Sequence, residues 1–289
     1  MGSLRYHARG ILALFALLLP FQHATAETVE AKLPTGIIAT ADFRAGKSSR
    51  PAVLLLHGFL QTRNAPPMSS LANTLADQGY TVLVPTLTLG INRRSKSLAC
   101  EAVHAHTMEG DVAEIGFWVN WLTNKDYSSI ALVGHSAGSG QILRYAIQKS
   151  NSAVKKIVLT SLVPLYSKPQ EAQDAAALTR QPGSKQTLGR FTLSYCNNTY
   201  VAPPAAYLSY VANDAEHELS LLGKIKVPAE IILGSADKTI TIDWPGKIQN
   251  RGIPVTLIDK AGHFFDGPQE FDLADRIETI LKTLPAGNK

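Results

Sequence analysis

The chain has 289 residues, of which 45% are hydrophobic and 18% are charged, a composition that excludes a disordered or fibrous protein and fits one large α/β domain. The formal charge is +5, yet the basic residues are scattered along the chain in short pairs. Binding to nucleic acid or another polyanion is therefore not expected. We also find no internal repeat of the kind that solenoids or propellers require.

Residues 1–26 have the pattern of a secretory signal peptide. Two arginines precede an apolar run over residues 10–19, and the small residues Ala24 and Ala26 follow, as at a signal-peptidase cleavage site. The apolar run is well short of the roughly 20 residues that a membrane-spanning helix needs. We therefore expect cleavage after Ala26, export of the mature chain to the periplasm or the medium, and no stable membrane anchor.

From residue 36 onward, apolar runs of strand length alternate with segments of helical periodicity. Such alternation is typical of βαβ units, whose parallel strands lie buried between layers of helices. The predicted elements of the first half are, in order, an edge strand over 37–43, strand 52–56, helix 68–78, strand 81–84, helix 107–122, strand 130–134, helix 137–149 and strand 156–160.

Residues 163–226 interrupt this alternation, because the segment is rich in Gln, Pro, Ser and Tyr and lacks the pattern of a buried strand. The alternation resumes with strands 230–233 and 255–258 and a terminal helix over 268–284. We expect a single α/β domain over residues 27–289, with a mostly parallel central sheet flanked by helices. The interruption is interpreted as an inserted cap over one end of that sheet.

The strand over residues 130–134 runs directly into Gly134-His135-Ser136-Ala137-Gly138, and a helical pattern follows. A sharp turn from strand to helix holds the serine in a strained backbone conformation, and glycines on both sides leave room for neighbouring chain segments. Gly-x-Ser-x-Gly in this context is the signature of a nucleophile elbow. Ser136 is therefore the candidate nucleophile. A helix N-cap would explain the serine but not both glycines.

A serine hydroxyl becomes a nucleophile only when a base takes its proton and an acid orients that base. Asp237 follows the strand over 230–233, and His263 follows the strand over 255–258. Sites of open α/β sheets form at the carboxyl ends of the strands, so we expect both side chains to face the same crevice as the serine. Loop aspartates usually cap or turn the chain, which is the alternative role of the three competitors Asp243, Asp259 and Asp266.

Together these motifs resemble the α/β-hydrolase superfamily over nearly the whole mature chain, from the His-Gly-Phe turn at 57–59 to the Gly-His pair at 262–263. The resemblance implies that Ser136 is the nucleophile, His263 the general base and Asp237 the acid that orients it. The serine also separates the chain from the dehalogenase and epoxide-hydrolase branches, which have an aspartate at the elbow.

The resemblance further implies an oxyanion hole made by the backbone N–H groups of Phe59 and Ala137. The function we expect is that of an exported serine hydrolase that cleaves carboxylic esters through an acyl-enzyme, with a small-molecule ester or acyl compound as substrate and no metal or organic cofactor. Thioesterase, peptidase, lipase and acyltransferase activities stay open, as does a noncatalytic binding role. The sequence does not predict the oligomeric state.

Cys100 and Cys196 are the two cysteines of the chain. In an exported protein an even number of cysteines favours a disulfide, and the alternative is two separate buried thiols. Because Cys100 lies in the long loop after strand 81–84 and Cys196 lies in the insertion, the bridge would attach the cap to the rim of the site.

The insertion contains five of the nine tyrosines of the chain. Tyr195 and, outside the insertion, Trp244 are candidate residues of an acyl or alcohol pocket; the alternative is that the aromatic residues pack the cap against the sheet. His104 and His106 could bind a metal, but no second ligand cluster is evident. We therefore expect a solvated loop there and no metal site.

Overall fold

The computed structural model describes residues 26–149, 151–184, 186–211 and 214–287. Nearly all of the predicted signal peptide, residues 1–25, lies outside the described residues. The strands are β1 Glu27–Lys32, β2 Ile38–Arg44, β3 Ala52–Leu56, β4 Thr81–Thr86, β5 Ile130–His135, β6 Val154–Thr160, β7 Gly189–Leu193, β8 Cys196–Ala202, β9 Ala229–Gly234 and β10 Val255–Ile258. The helices are α1 Met68–Asp77, α2 Met108–Thr123, α3 Ala137–Gln148, α4 Pro169–Thr179, α5 Pro204–Val211, α6 Ala215–Leu222, α7 Trp244–Gln249 and α8 Gln269–Leu281.

Eight strands form one sheet in the order β1-β2-β4-β3-β5-β6-β9-β10. The six strands from β4 to β10 run parallel, whereas β1 and β2 are antiparallel additions at one side. The predicted α/β architecture with a mostly parallel sheet is confirmed. The prediction that 37–43 is an edge strand is wrong, because β1 pairs outside it. The alternating, half-buried Val29 and Ala31 of this short polar strand were the signal that could have revealed it.

Successive residues of the central strands enter two separate cores, as the pleat of a strand requires. On β3, Leu54 and Leu56 pack on the side of α2 and α3, whereas Val53 and Leu55 pack on the side of α1 and α8. The whole of β3 is buried. Because both faces are covered, the carboxyl ends of the parallel strands are the part of the sheet that remains open for a site.

The described residues between β6 and β9 add no strand to the main sheet. They form α4, α5, α6 and a two-stranded antiparallel sheet of β7 and β8. The prediction that this segment lacks a buried strand is wrong, since Phe191 and Leu193 of β7 are buried. Their burial comes from within the insertion, where the Phe191 ring stacks on the Tyr207 ring with centroids 4.1 Å apart. That this segment acts as a cap remains a prediction.

Cys100 and Cys196 form the predicted disulfide, with their Cα atoms 5.6 Å apart. Two backbone hydrogen bonds lie beside it: Val201 N–H donates to Cys100 C=O at 3.3 Å, and His104 N–H donates to Val201 C=O at 2.8 Å. Strand β8 is therefore attached to the loop between β4 and α2 by one covalent bond and two hydrogen bonds. Among the described residues, no helix is long and apolar enough to cross a bilayer.

Candidate active site

Ser136 lies at the junction of β5 and α3 with φ 53° and ψ −121°. A positive φ is uncommon for a residue with a side chain and persists only where the surroundings enforce it. Here the Ser136 N–H donates to Thr160 C=O of the neighbouring strand β6 at 2.9 Å. The sheet thus fixes the backbone of Ser136, and the residue lies at the carboxyl end of β5.

The two flanking glycines are required by close backbone contacts. A Cβ atom at Gly138 would lie 2.5 Å from the carbonyl oxygen of His57, and one at Gly134 would lie 2.6 Å from the carbonyl oxygen of Gly138. Real Cβ atoms do not approach other atoms this closely. Glycine at both positions therefore lets α3 start immediately after β5 and pack against the turn at 57–59.

The three residues that the motifs indicated lie together. His263 Nε2 is 2.9 Å from Ser136 Oγ, and His263 Nδ1 is 2.8 Å from Asp237 Oδ2. The Asp237 side chain is fully buried, and that of His263 is 14% exposed. With its proton on Nδ1, His263 donates a hydrogen bond to the Asp237 carboxylate. Its unprotonated Nε2 then faces the serine hydroxyl, and in this arrangement a neutral histidine can accept a proton.

The carboxylate of Asp237 has a second support that sequence analysis missed. Thr239 donates to Asp237 Oδ1 from its backbone N–H at 2.8 Å and from its hydroxyl at 2.6 Å. Burial by itself raises the pKa of Asp237, but the hydrogen bonds from His263 and Thr239 outweigh burial, so that the pKa lies below its ordinary value of 3.8. Asp237 is therefore ionised at neutral pH. The Asp-x-Thr pattern, typical of a turn, was the available signal.

The competing aspartates have other contacts. Asp243 pairs with Lys247 at 2.9 Å on α7, and its side chain is 56% exposed. Asp259 lies near Lys260 at the surface. Among the described contacts, neither carboxylate reaches His263, so Asp237 is the acid that the fold brings to the histidine.

Phe59 lies on the turn after β3, and Ala137 is the first residue of α3. Among the backbone hydrogen bonds that the described residues make outside helices and strands, none uses the N–H group of Phe59 or of Ala137. The turn is close to the serine, because a Cβ atom built on Gly58 would lie 3.5 Å from Ser136 Cβ. These two N–H groups remain the predicted donors of an oxyanion hole.

A cavity of about 510 Å³ opens onto Ser136 and His263. Four aromatic side chains line it: Phe59, Tyr166, Tyr195 and Phe264. Tyr195, a predicted pocket residue, packs edge-on against Phe59 with ring centroids 5.5 Å apart. Trp244, the other predicted pocket residue, is absent from this lining; its side chain is buried and its indole N–H donates to Leu162 C=O at 2.9 Å.

The prediction of a solvated loop at His104 and His106 is wrong, because both side chains are buried. The His104 ring stacks on Tyr200 with centroids 4.3 Å apart, and His106 Nδ1 contacts the Tyr210 hydroxyl at 2.5 Å. Burial, with the nearby His104 and Arg94, lowers the pKa of His106 to about 3. The described residues hold no group of three or more metal-ligating side chains.

Comparison with known proteins agrees with this fold. Residues 51–199 match the family model of the alpha/beta hydrolase fold, and a search of curated proteins finds no match. The structure is similar to that of the alpha/beta hydrolase GrgF from Penicillium sp. sh18, at 13% identity and TM-score 0.71, covering 90% of this chain and 98% of that one. It is also similar to a thermophilic esterase from Thermogutta terrifontis, at 19% identity and TM-score 0.60, covering 89% and 99%.

A thioesterase domain from the curacin biosynthetic pathway is similar as well, at 18% identity and TM-score 0.59, covering 89% of this chain and 99% of that one. At such identities the likeness shows the fold and does not rank esters above thioesters. The matched family model spans more than half of the chain and includes the serine elbow. The protein therefore belongs to the α/β-hydrolase family, and the hydrolase fold is its architecture.

Proposed function

We propose that the protein is an exported serine hydrolase that cleaves carboxylic esters through Ser136, His263 and Asp237. The observation that carries this proposal is the pair of contacts at His263, 2.9 Å to the serine hydroxyl and 2.8 Å to the buried carboxylate. Both distances lie within hydrogen-bond reach of a nucleophile, a base and an orienting acid. The strained elbow at Ser136 adds support, since such strain clusters at functional sites.

In the first half-reaction, Ser136 Oγ attacks the ester carbonyl carbon while its proton moves to His263 Nε2. The carbonyl oxygen becomes an oxyanion and accepts hydrogen bonds from the N–H groups of Phe59 and Ala137. The imidazolium of His263, stabilised by the ionised Asp237, then donates its proton to the leaving alcohol oxygen. The C–O bond of the ester breaks, and an acyl-enzyme on Ser136 remains.

In the second half-reaction, water enters and gives its proton to His263 Nε2 as its oxygen attacks the acyl carbon. The same two N–H groups hold the second oxyanion, and collapse of this intermediate returns the proton to Ser136 Oγ and releases the acid. The described residues that line the cavity include no Asp, Glu, Lys or Arg. The cavity therefore suits neutral esters.

Labelling with a fluorophosphonate probe tests the nucleophile, because the probe reacts with an activated serine. We expect the probe to modify Ser136 of the wild-type protein and to leave Ser136→Ala unlabelled. Ser235→Ala is the matched control, since Ser235 is an exposed serine in the loop that carries Asp237, and it should label normally. Labelling of Ser136→Ala at the wild-type rate would contradict the proposal.

The bond class is tested by substrates that share one acyl group and differ in the leaving atom, as ester, thioester and amide. We expect the highest kcat/KM for the ester, and a series of graded acyl length then gives the acyl preference. Export is tested separately by sequencing the N-terminus of protein recovered outside the cytoplasm, which should begin at Glu27. A mature chain that retains Met1 would contradict cleavage after Ala26.

A further inference from the structure

The peptide unit between Gly58 and Phe59 carries two groups that matter for the proposed oxyanion hole. Its N–H is the Phe59 donor, and its C=O belongs to Gly58. That carbonyl accepts hydrogen bonds from Gln61 N–H at 3.2 Å and lies 2.9 Å from His57 Nδ1. Because the peptide is planar, the groups that bind the Gly58 C=O also fix the direction of the Phe59 N–H.

The tautomer of His57 follows from its partners. His57 is buried, and burial, with the nearby Arg94 cation, lowers its pKa to about 3, so the ring is neutral and carries one N–H. The Leu87 backbone N–H points at His57 Nε2 at 3.1 Å, and a backbone N–H can only donate. Nε2 is therefore the acceptor. The ring proton is on Nδ1, where it donates to the Gly58 carbonyl.

Arg94 holds the chain that follows this peptide. Its side chain is buried and donates to the carbonyl oxygens of Leu87 and Gln61, both at 2.6 Å, and to that of Leu60 at 3.3 Å. Its Nη2 also lies 3.4 Å from His57 Nε2. Arginine can make these contacts at once because its planar fork carries five donors.

Arg94 remains charged in this environment. Burial lowers the pKa of Arg94 to about 10, against the opposite effect of Glu114 and Asp111, which leaves the group protonated at neutral pH. Donors at Nε2 polarise the imidazole and strengthen its Nδ1 donor, and a donor at a peptide carbonyl strengthens the N–H of the same peptide. The contacts therefore form a chain from Arg94 through His57 to the Phe59 N–H.

We propose that His57 and Arg94 are a positioning pair that orients the Gly58–Phe59 peptide so that the Phe59 N–H faces the developing oxyanion. The proposal rests on the proposed function of Ser136 and adds two residues that do not touch the substrate. It assigns a role to the histidine of the His-Gly-Phe turn at 57–59. It also explains why a guanidinium is buried beside a turn of the active site, where burial is otherwise costly.

The tautomer can be measured in the wild-type protein. Long-range ¹H–¹⁵N correlation spectra of ¹⁵N-labelled imidazoles distinguish a protonated from an unprotonated ring nitrogen. We expect His57 to show a protonated Nδ1 and an unprotonated Nε2 across the neutral range. The opposite tautomer, or a doubly protonated ring at neutral pH, would overturn the proposal without any variant having to fold.

Two substitutions of His57 separate its donor from its acceptor. In His57→Asn the amide NH₂ reaches the place of Nδ1 and keeps the donor to Gly58, whereas in His57→Gln the amide extends to the place of Nε2 and the donor is lost. We expect His57→Gln to lower kcat about ten- to a hundredfold with KM within about twofold, since one oxyanion donor is worth 10²–10³ in kcat. His57→Asn should retain most of kcat.

A trifluoromethyl ketone forms a tetrahedral adduct on serine. Its affinity therefore reports stabilisation of the oxyanion, and it would not change if His57 and Arg94 served only the stability of the fold. Its affinity should fall by the same factor as kcat/KM in His57→Gln and in Arg94→Met. The matched controls are His104→Asn and Arg144→Met, which remove a buried histidine and a buried arginine elsewhere. They should lower Tm to a similar extent and leave kcat and inhibitor affinity unchanged.

The outcomes separate this proposal from the proposed function. If the wild-type protein fails to react with the fluorophosphonate at Ser136, both are wrong. If Ser136 is labelled but folded His57→Gln and Arg94→Met retain wild-type kcat and inhibitor affinity, only the positioning pair is wrong. Equal kcat losses in His57→Asn and His57→Gln would also overturn it, because the donor would then not be the feature that matters.

Discussion

At the scale of single residues, the loop after β9 carries two aspartates with different surroundings. Asp237 is buried against His263 and Thr239, whereas Asp243 is exposed and paired with Lys247. The hydrogen bonds that hold the pKa of Asp237 below its ordinary value favour the charged form, which is the form that stabilises an imidazolium. The carboxylate matters to the site through its charge and its position together.

We therefore expect Asp237→Asn to lower kcat by about 10²–10⁴, because the amide can leave the histidine in the wrong tautomer. Asp243→Asn, the matched control in the same loop, should retain wild-type kcat. Steady-state kinetics on a nitrophenyl ester measure both. A larger loss in Asp243→Asn than in Asp237→Asn would move the orienting acid to Asp243.

Gly138 offers a second test at this scale, because its missing side chain lets α3 approach the turn at 57–59. A methyl group there would meet the carbonyl oxygens of His57 and Leu56 at 2.5 and 2.8 Å, so either the turn or the helix must shift. We expect Gly138→Ala to lower kcat/KM at least tenfold, since small displacements at a reacting centre cost rate steeply.

The control for this substitution is Gly246→Ala. A Cβ at Gly246, in α7, has no atom within 4 Å, so the alanine should leave kcat/KM unchanged and raise stability by about 0.5–1 kcal/mol. Both variants can be compared by kinetics and by urea unfolding. Unchanged activity in a folded Gly138→Ala would mean that the turn tolerates displacement.

At the scale of elements, the hairpin of β7 and β8 carries Tyr195 at its turn, directly before the disulfide-bonded Cys196. The Tyr195 hydroxyl donates to Phe59 C=O at 3.3 Å, so the hairpin forms one wall of the cavity and contacts the turn after β3. The disulfide joins this wall to the loop between β4 and α2. Its removal should therefore act on stability and on the shape of the cavity.

We expect the double variant Cys100→Ser, Cys196→Ser to lose roughly 2–4 kcal/mol in the free energy of unfolding, and at most about 4–5 kcal/mol from chain entropy alone, for a bridge with a sequence separation of 96. The two hydrogen bonds beside it should keep the hairpin near the loop, but the cavity wall that it forms should become less rigid and bind large substrates less well. KM should consequently rise for bulky esters and stay near its wild-type value for acetate esters. Urea unfolding and ester kinetics test both parts, and equal changes for both esters would contradict a role in selectivity.

At the scale of the whole molecule, buried titratable groups set how stability depends on pH. Burial is the main cause that lowers the pKa of His57, His106 and His135 to about 3. Burial likewise raises the pKa of Asp111 to about 7 and that of Glu218 to about 8. Both groups of residues are therefore neutral in the folded protein over part of the range in which they are charged in the unfolded chain.

The two sets have opposite effects on stability as pH rises. The histidines contribute stability above their unfolded pKa of about 6.5, and it is lost as pH falls from there toward 3, because the unfolded chain then binds more protons. The two carboxyls contribute stability below about pH 4. This contribution is lost as pH rises through their folded pKa values of about 7 and 8, because the unfolded chain then binds fewer protons than the folded chain. We expect the free energy of unfolding to be greatest near pH 6–7, measured by urea unfolding from pH 4 to 9.

Glu218→Gln isolates one of these groups. One such carboxyl lowers stability by about 1.4 kcal/mol per pH unit as pH rises from about 4.5 to 8. Removing it should steepen the rise of stability below the maximum and flatten the fall above it. Glu216→Gln on the exposed side of the same helix should leave the whole profile unchanged. A Glu218→Gln profile identical to that of the wild type would show that the carboxyl is already ionised when folded.

The sequence by itself determined the features that depend on local pattern. Residues 52–56 are apolar without interruption, which predicts a strand buried on both faces, and β3 has the predicted bounds. The elbow at Ser136 is equally local, since strand, glycines and helix follow one another within a few residues. The pairing of Cys100 with Cys196 was predictable because the chain has two cysteines and an apparent signal peptide.

Only the tertiary structure decided the features that depend on which distant segments meet. Thr239 became a partner of Asp237, and Trp244 turned toward Leu162 rather than the cavity, although neither outcome is written in the neighbouring residues. Strands β7 and β8 escaped prediction because their apolar side chains pack within the insertion and against the loop of Cys100. The tautomer of His57 depends on a hydrogen bond from the Leu87 N–H, which lies 30 residues away in the chain. A buried polar group takes its role from the partners that packing supplies, and periodicity in sequence carries no record of those partners.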